Sequence, residues 1–211
     1  MPVEGPLYPA NLIVAGRRAL VVGGGAVAAG KARGLVAAGA VVHVVAEQVS
    51  DEVRAIDGVT WEERPYRRGE VGSYRLGVTA TDDPDVNRAV FVDGEEAGVW
   101  VNSADDPANC SFILPAVVRR GPIMITVGTG GHSPALATWL RRKFEREIGP
   151  EYEALLDILE EERMALREQG IPTESLTWQD AIDSGMLDLV RTGRFAEARE
   201  RLKACLSSSS E

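Results

Sequence analysis

Short apolar runs recur along the first half of the chain, at 19–22, 41–45, 59–61, 76–81 and 99–102, each followed by a stretch with helical character. The segment between the first two, 26–38, is rich in alanine and a strong helix former. Strand, helix and strand within about 30 residues make a βαβ unit. Repeating that unit dictates a parallel sheet with helices on both faces. The expected fold up to residue 113 is therefore an α/β domain built on a doubly wound parallel sheet.

Beyond it the pattern changes. Runs at 112–118 and 123–127 flank Arg119-Arg120-Gly121-Pro122, a turn-like insert that predicts a hairpin. Ser133-Pro134 combines a good N-cap with proline at the first helical position, so 133–148 is expected to be helical. Further helices are expected at 151–169, 173–184 and 194–206, before a serine tail. The sequence thus divides into a sheet domain at 1–113, a small α+β segment at 114–148 and a helical region at 149–211.

Composition narrows the function classes. A net charge of -9 opposes nonspecific nucleic-acid binding, which needs an excess of Lys and Arg. The longest uncharged stretch, 121–140, contains Pro122, Pro134 and several glycines, which break a membrane-spanning helix. Glu4 precedes any apolar run and no basic-then-apolar order follows, so a cytoplasmic location is expected. Cys110 and Cys205 are far apart, and the only histidines are His43 and His132. These form no disulfide framework and no metal-ligand spacing, so no resident metal is expected.

Chemistry enters at Gly23-Gly24-Gly25-Ala26-Val27-Ala28, between the first strand and the alanine-rich helix. The pattern G-x-G-x-x-A in that context is the fingerprint of a Rossmann-like dinucleotide site. The first glycine permits the tight turn, the second lets the backbone approach a pyrophosphate, and Ala28 lets helix and sheet pack closely. Free N–H groups at the helix end then face the phosphates. A plain βα turn can use the same residues, but Glu47, with Gln48 beside it, falls just past the second strand. A carboxylate there accepts hydrogen bonds from ribose hydroxyls and repels a 2′-phosphate, which favours NAD over NADP. His43 reads as a packed side chain, and Lys31 and Arg33 as surface charges on the first helix.

Several further motifs follow in order: Ala80-Thr81-Asp82-Asp83 with Val86-Asn87, Val101-Asn102 leading to Asp105, Ser111-Phe112-Ile113 with Pro115, and Gly130-Gly131 with Ser133-Pro134 and Leu136-Ala137. Together with the glycine loop and Lys31, this series resembles the precorrin-2 dehydrogenase family, the NAD-dependent part of siroheme synthase. The resemblance covers roughly residues 8–148 in motif detail and the helical tail in character only. It implies oxidation of precorrin-2 to sirohydrochlorin with NAD and, in some members, insertion of ferrous iron as a second substrate to give siroheme. It also implies a homodimer formed through the segment after residue 113, and the stand-alone form without a methyltransferase domain.

Dehydrogenation releases a hydride and a proton, so a carboxylate beside the cofactor suits the chemistry. Asp105 lies just beyond the last predicted strand and matches the family's functional aspartate, although Asp106 next to it leaves two candidates. Thr81 is placed on the nicotinamide side, while Asp82, Asp83 and Asp85 suit the start of a helix. A polycarboxylate tetrapyrrole on an acidic protein requires a local basic patch, and Arg119, Arg120, Arg141 and Arg142 supply one. A solvated helix face is the other reading of those arginines. The loop Thr129, Gly130, Gly131, His132 and Ser133 is a second candidate anion cradle, with Thr129 where relatives often carry serine. A regulatory NAD-sensing module is the competing class; it would need the glycine loop and Glu47 but no Asp105 and no basic second segment.

Overall fold

The computed structural model describes residues 5–104 and 106–207. The first half alternates strand and helix: β1 Arg18–Val22, α1 Ala26–Ala37, β2 Val41–Ala46, α2 Asp51–Arg54, β3 Val59–Glu63, β4 Leu76–Thr79, α3 Pro84–Ala97 and β5 Trp100–Ser103. All five strands are parallel, in the order β3-β2-β1-β4-β5. The doubly wound sheet is as the apolar runs predicted. The strand order reverses between β1 and β4, where open α/β sheets form their ligand crevice.

Alternation along each strand divides the core between the two faces. Ala19, Val21, Val42, Val44, Leu76 and Val78 meet α1 through Ala28, Ala29 and Ala32, all three wholly buried. Leu20, Val22, Val45 and Val101 point to the other face, against Val90 of α3 and Val71. Three alanines on one helix face let α1 lie close on the sheet, and a larger side chain at Ala28 would overpack that contact by about 1–3 kcal/mol.

The helix α3 begins at Pro84, with the Asp83 carboxylate accepting from the N–H groups of Asp85 and Val86. It ends at Gly98, whose φ of 67° is left-handed. Within it, Asp93 is buried and receives Tyr66 Oη at 2.9 Å, Arg68 Nε at 2.8 Å and the Gly69 N–H at 2.6 Å. Burial raises this carboxyl, but the Arg68, Gly69 and Tyr66 donors outweigh it and hold the group below the usual carboxylate range. Burial and Asp93 together push the Tyr66 phenol far above its ordinary value. The connection between β3 and β4 is thereby fastened to α3.

Two compact units emerge: the residues up to Leu114 together with Thr129–Pro134, and Pro115–Gly128 together with the residues from Ala135 on. The second holds the antiparallel hairpin β6 Ala116–Arg120 and β7 Ile123–Val127, then α4 Pro134–Glu147, α5 Glu151–Glu168, α6 Trp178–Ala181, α7 Leu187–Arg191 and α8 Phe195–Ser207. Its helices α5 to α8 enclose Leu155, Ile158, Met186, Leu189, Ala198 and Leu202. Among the described residues no helix is long and apolar enough to cross a membrane.

Two elements differ from expectation. The strand expected at 112–118 starts only at Ala116, because Ser111 N–H bonds to the Val101 carbonyl and Asn102 Nδ2 to the Phe112 carbonyl, which tie this stretch back to β5. Pro115, which has no N–H, then separates it from the hairpin. The helix expected at 173–184 begins instead at Trp178, whose indole N–H donates to the Thr173 carbonyl at 2.8 Å and fixes a loop before it. It also runs on past Ser184 through a wide turn at Ile182–Met186, where Gly185 takes φ 94°, into α7. A left-handed glycine there kinks the helix without ending it.

Candidate functional site

The register brings the strand ends together: Val22 lies opposite Val45 and Thr79, and Thr79 opposite Ser103. Gly23, Glu47, Ala80 and Ala104 therefore leave the sheet along one edge. At that edge Gly23 has φ 126°, and a Cβ there would stand 2.2 Å from the Ala80 carbonyl oxygen. A Cβ on Gly24 would stand 1.9 Å from the Gln48 carbonyl oxygen. The glycine loop thus touches both neighbouring crossovers with bare backbone. Gly25 is different: nothing lies within 4 Å of a Cβ built there.

That open space sits at the start of α1. Gly25 caps it in an extended conformation with no side-chain bond to the helix, and no acidic residue occupies the first turn. The first helical amide to find a carbonyl is Ala29, which bonds to Gly25 O at 3.0 Å. The N–H groups of Ala26, Val27 and Ala28 point out of the helix end, as the first amides of any helix do. Open space at Gly25, uncapped amides and the positive end of a helix dipole fit a pyrophosphate.

Glu47 and Gln48 are exposed just beyond β2. Their loop is fastened on one side by Ser50 N–H to Gly24 O at 2.9 Å, and on the other by Glu63, which accepts from the Val49 N–H at 3.1 Å. Thr81 lies where the Gly23 backbone meets the next crossover, but its hydroxyl stands 3.0 Å from both Asn87 Oδ1 and Asp83 O, with one proton to donate between them, and accepts from the Asp83 N–H. It organises the start of α3.

Asp105 lies outside the described residues. Its neighbours are firmly held: Ala104 N–H bonds to Thr79 O at 2.8 Å and Asp106 N–H to Ser103 O at 3.4 Å. The Asp106 carboxylate accepts from Asn109 Nδ2 at 2.6 Å, and Asn109 in turn accepts from Arg88 Nη1 at 3.0 Å. Of the two candidate acids, Asp106 is engaged in the fabric of its own loop. The Cys110 thiol closes that loop, accepting from the Ser103 N–H at 3.1 Å and reaching the carbonyls of Ser103 and Asp106 at 3.3 Å. Burial pushes this thiol up, which keeps it protonated and able to donate. Thr79 Oγ1 and Ser103 Oγ share a buried hydrogen bond of 2.9 Å beneath it. Asn102 is buried too, its Nδ2 directed to Phe112 O and its Oδ1 without a partner among the described residues. The sequence offers no pattern for Arg88, Asn109 or Cys110, and the Val101-Asn102 motif carries no hint of what Asn102 holds, since each acts through tertiary contacts.

The second glycine loop groups with the sheet domain. Thr129 Oγ1 donates to Ser133 O at 3.1 Å and accepts the Ser133 N–H at 3.2 Å, and Gly130 and Gly131 turn with φ 58° and 78°. His132 is exposed. The expected basic patch lies in the other unit and is thinner than its arginine count. Arg120 donates to the carbonyls of Ile148, Glu145 and Arg119, which caps the C-terminal end of α4, and Arg141 pairs with Glu145 at 2.7 Å. Arg119 and Arg142 remain exposed.

A parallel sheet that presents such a cradle at its switch point defines a dinucleotide-binding protein of the Rossmann type. The model of an NAD(P)-binding family matches residues 10–116, half of the chain, and the chain belongs to that family. It is also similar to siroheme synthases: 35% identical over 200 residues to that of Azotobacter vinelandii, covering 92% of this chain and 43% of the relative. The Nitrosomonas europaea protein is 33% identical over 209 residues, covering 96% and 44%. The chain thus spans less than half the length of these relatives. Among solved structures, SirC, precorrin-2 dehydrogenase, superposes with a TM-score of 0.75 at 23% identity, covering 94% of this chain and 100% of that one, which agrees in fold.

Proposed function

We propose that the chain oxidises precorrin-2 to sirohydrochlorin with NAD. The observation that carries the proposal is the reach of the similarity to siroheme synthases, which extends over 92% and 96% of the chain and so through the hairpin and C-terminal helices as well as the sheet domain. An NAD-sensing module would need the first unit alone. Gly25, Ala26 and Val27 bind the pyrophosphate through backbone amides, and Glu47 orients the ribose and disfavours NADP. Bound NAD supplies the hydride acceptor. Asp105 takes the proton that leaves the tetrapyrrole with the hydride, since Asp106 is engaged by Asn109. Thr129 to Ser133 are assigned to the substrate's carboxylates.

We further propose a homodimer paired through β6, β7 and α4. No residue of α4 is buried, and its Leu136 and Trp139 are 48% and 56% exposed. A two-stranded hairpin is marginal in water without cover, and a second copy supplies it. A cytoplasmic setting goes with a reaction that draws on NAD. The test is an anaerobic incubation with precorrin-2 and NAD, followed by addition of ferrous ion. Sirohydrochlorin formed only when NAD is present supports the dehydrogenase; conversion of that product after iron addition adds the second step. No sirohydrochlorin from a protein that binds NAD would favour the sensing module.

A further inference from the structure

Beside the ribose loop stands an arginine whose charge is already matched. Arg54, the last residue of α2, donates through Nε to the Val49 carbonyl at 3.1 Å and through Nη2 to Glu63 Oε1 at 2.7 Å. The same Glu63 oxygen accepts the Val49 N–H at 3.1 Å. One ion pair therefore grips both polar groups of the Val49 peptide backbone, two residues beyond Glu47. The guanidinium also lies 4.3 Å from the centre of the Trp61 ring, which fixes its plane. Glu63 belongs to β3, opposite Ala46 at the end of β2, so the strand register itself places the acid.

In dinucleotide folds an acid past the second strand selects the ribose hydroxyl of NAD, and an arginine near the same point accommodates the 2′-phosphate of NADP. This chain has both, but the arginine is held by Glu63. We propose that Glu63 is a specificity-determining residue: by holding Arg54 on the Val49 backbone, it withholds that guanidinium from a 2′-phosphate. Discrimination against NADP then depends on Glu63, in addition to whatever Glu47 contributes, and the inference rests on the proposed binding of the cofactor's ribose at the loop after β2.

The pair acts through position and charge, which substitution separates. Glu63→Ala frees Arg54 for the phosphate, whose charge-assisted bonds with a guanidinium are strong and bidentate. The ratio of the NADP to the NAD dissociation constant should fall about tenfold or more, through tighter NADP binding. In the double variant Glu63→Ala/Arg54→Met the guanidinium is gone and the ratio should return towards that of the unaltered protein. Glu63→Gln keeps an acceptor for the Val49 N–H while losing the ion pair, so it should also lower the ratio, and it serves if the alanine variant fails to fold.

The experiment is calorimetric titration of each purified variant of the 211-residue chain with NAD and with NADP, with circular dichroism to confirm folding. A folded Glu63→Ala or Glu63→Gln protein with an unchanged ratio overturns the proposal. So does a double variant that keeps the lowered ratio, because Arg54 would then not be the group released. Glu47→Ser, titrated alongside, separates the two assignments. If it leaves the ratio unchanged while the Glu63 variants lower it, Glu47 is misassigned and Glu63 stands. If it lowers the ratio while they do not, Glu63 falls alone.

Discussion

The sheet domain and the helix α4 both carry apolar residues at regular spacing, yet they treat that apolar surface in opposite ways. In the first, the alternating residues of β1, Ala19 and Val21 on one face, Leu20 and Val22 on the other, are 0–3% exposed. In the second, α4 carries Leu136, Trp139, Leu140 and Phe144 at helical spacing, and none of its residues is buried. A domain whose core is closed on itself can bind a cofactor alone. A helix that leaves Leu136 and Trp139 about half exposed has room for the cover of another molecule. The proposed division of labour follows: cofactor chemistry belongs to the closed part, and assembly to the open one.

The sharpest way to break the comparison is within the glycine loop. Gly25→Asp should leave folding intact, since the new side chain enters open space, but abolish dinucleotide binding by placing a negative charge where the pyrophosphate belongs. Gly24→Ala should lose binding and stability together, because its Cβ would stand 1.9 Å from the Gln48 backbone oxygen. Thermal unfolding and NAD titration distinguish them, and equal stability loss in both would mean the cradle is not open at Gly25.

Next in size is the acid. Asp105→Asn should lower turnover by about 100-fold or more while leaving the NAD dissociation constant unchanged. Asp106→Asn should cost far less, because an amide oxygen can still accept from Asn109 Nδ2. Steady-state kinetics with precorrin-2 would reverse the two assignments if the second variant were the slower one.

A third test concerns the open segment. Trp139→Glu should convert a dimer of twice 22.7 kDa into a monomer of 22.7 kDa without weakening NAD binding. Light scattering reads the mass, and a monomeric unaltered protein at micromolar concentration would contradict the proposed interface.

The smallest effect probes the closed domain. Asp93 is held below the usual carboxylate range, so its contribution is complete above that range and is lost as pH falls through the lowered value. Asp93→Asn should destabilise by about 1–3 kcal/mol near neutral pH. The difference from the unaltered protein should shrink in acid, as urea titrations at several pH values would show.

Strand and helix alternation made the sheet domain legible because β1, β2, β4 and β5 are largely buried apolar runs and a helix start such as Asp83 before Pro84 carries its own signal. The cradle was legible for the same reason: Gly23, Gly24 and Gly25 act through backbone and chain order alone. What escaped was whatever depends on contacts between distant segments. Arg54 and Glu63 gripping Val49, Arg88 reaching Asn109, and Asn102 holding Phe112 out of the hairpin have no periodicity to read. The arginines at 119, 120, 141 and 142 looked alike in sequence; only side-chain geometry separates Arg120, which caps a helix, from the exposed Arg119 and Arg142.

The central claim, that this chain couples NAD to the oxidation of precorrin-2, is tested most directly by following both products in one anaerobic reaction. The expected result is NADH and sirohydrochlorin appearing together in equal amounts, with neither formed by Gly25→Asp. Sirohydrochlorin formed at the same rate without NAD, or NAD binding with no turnover of precorrin-2, would contradict it.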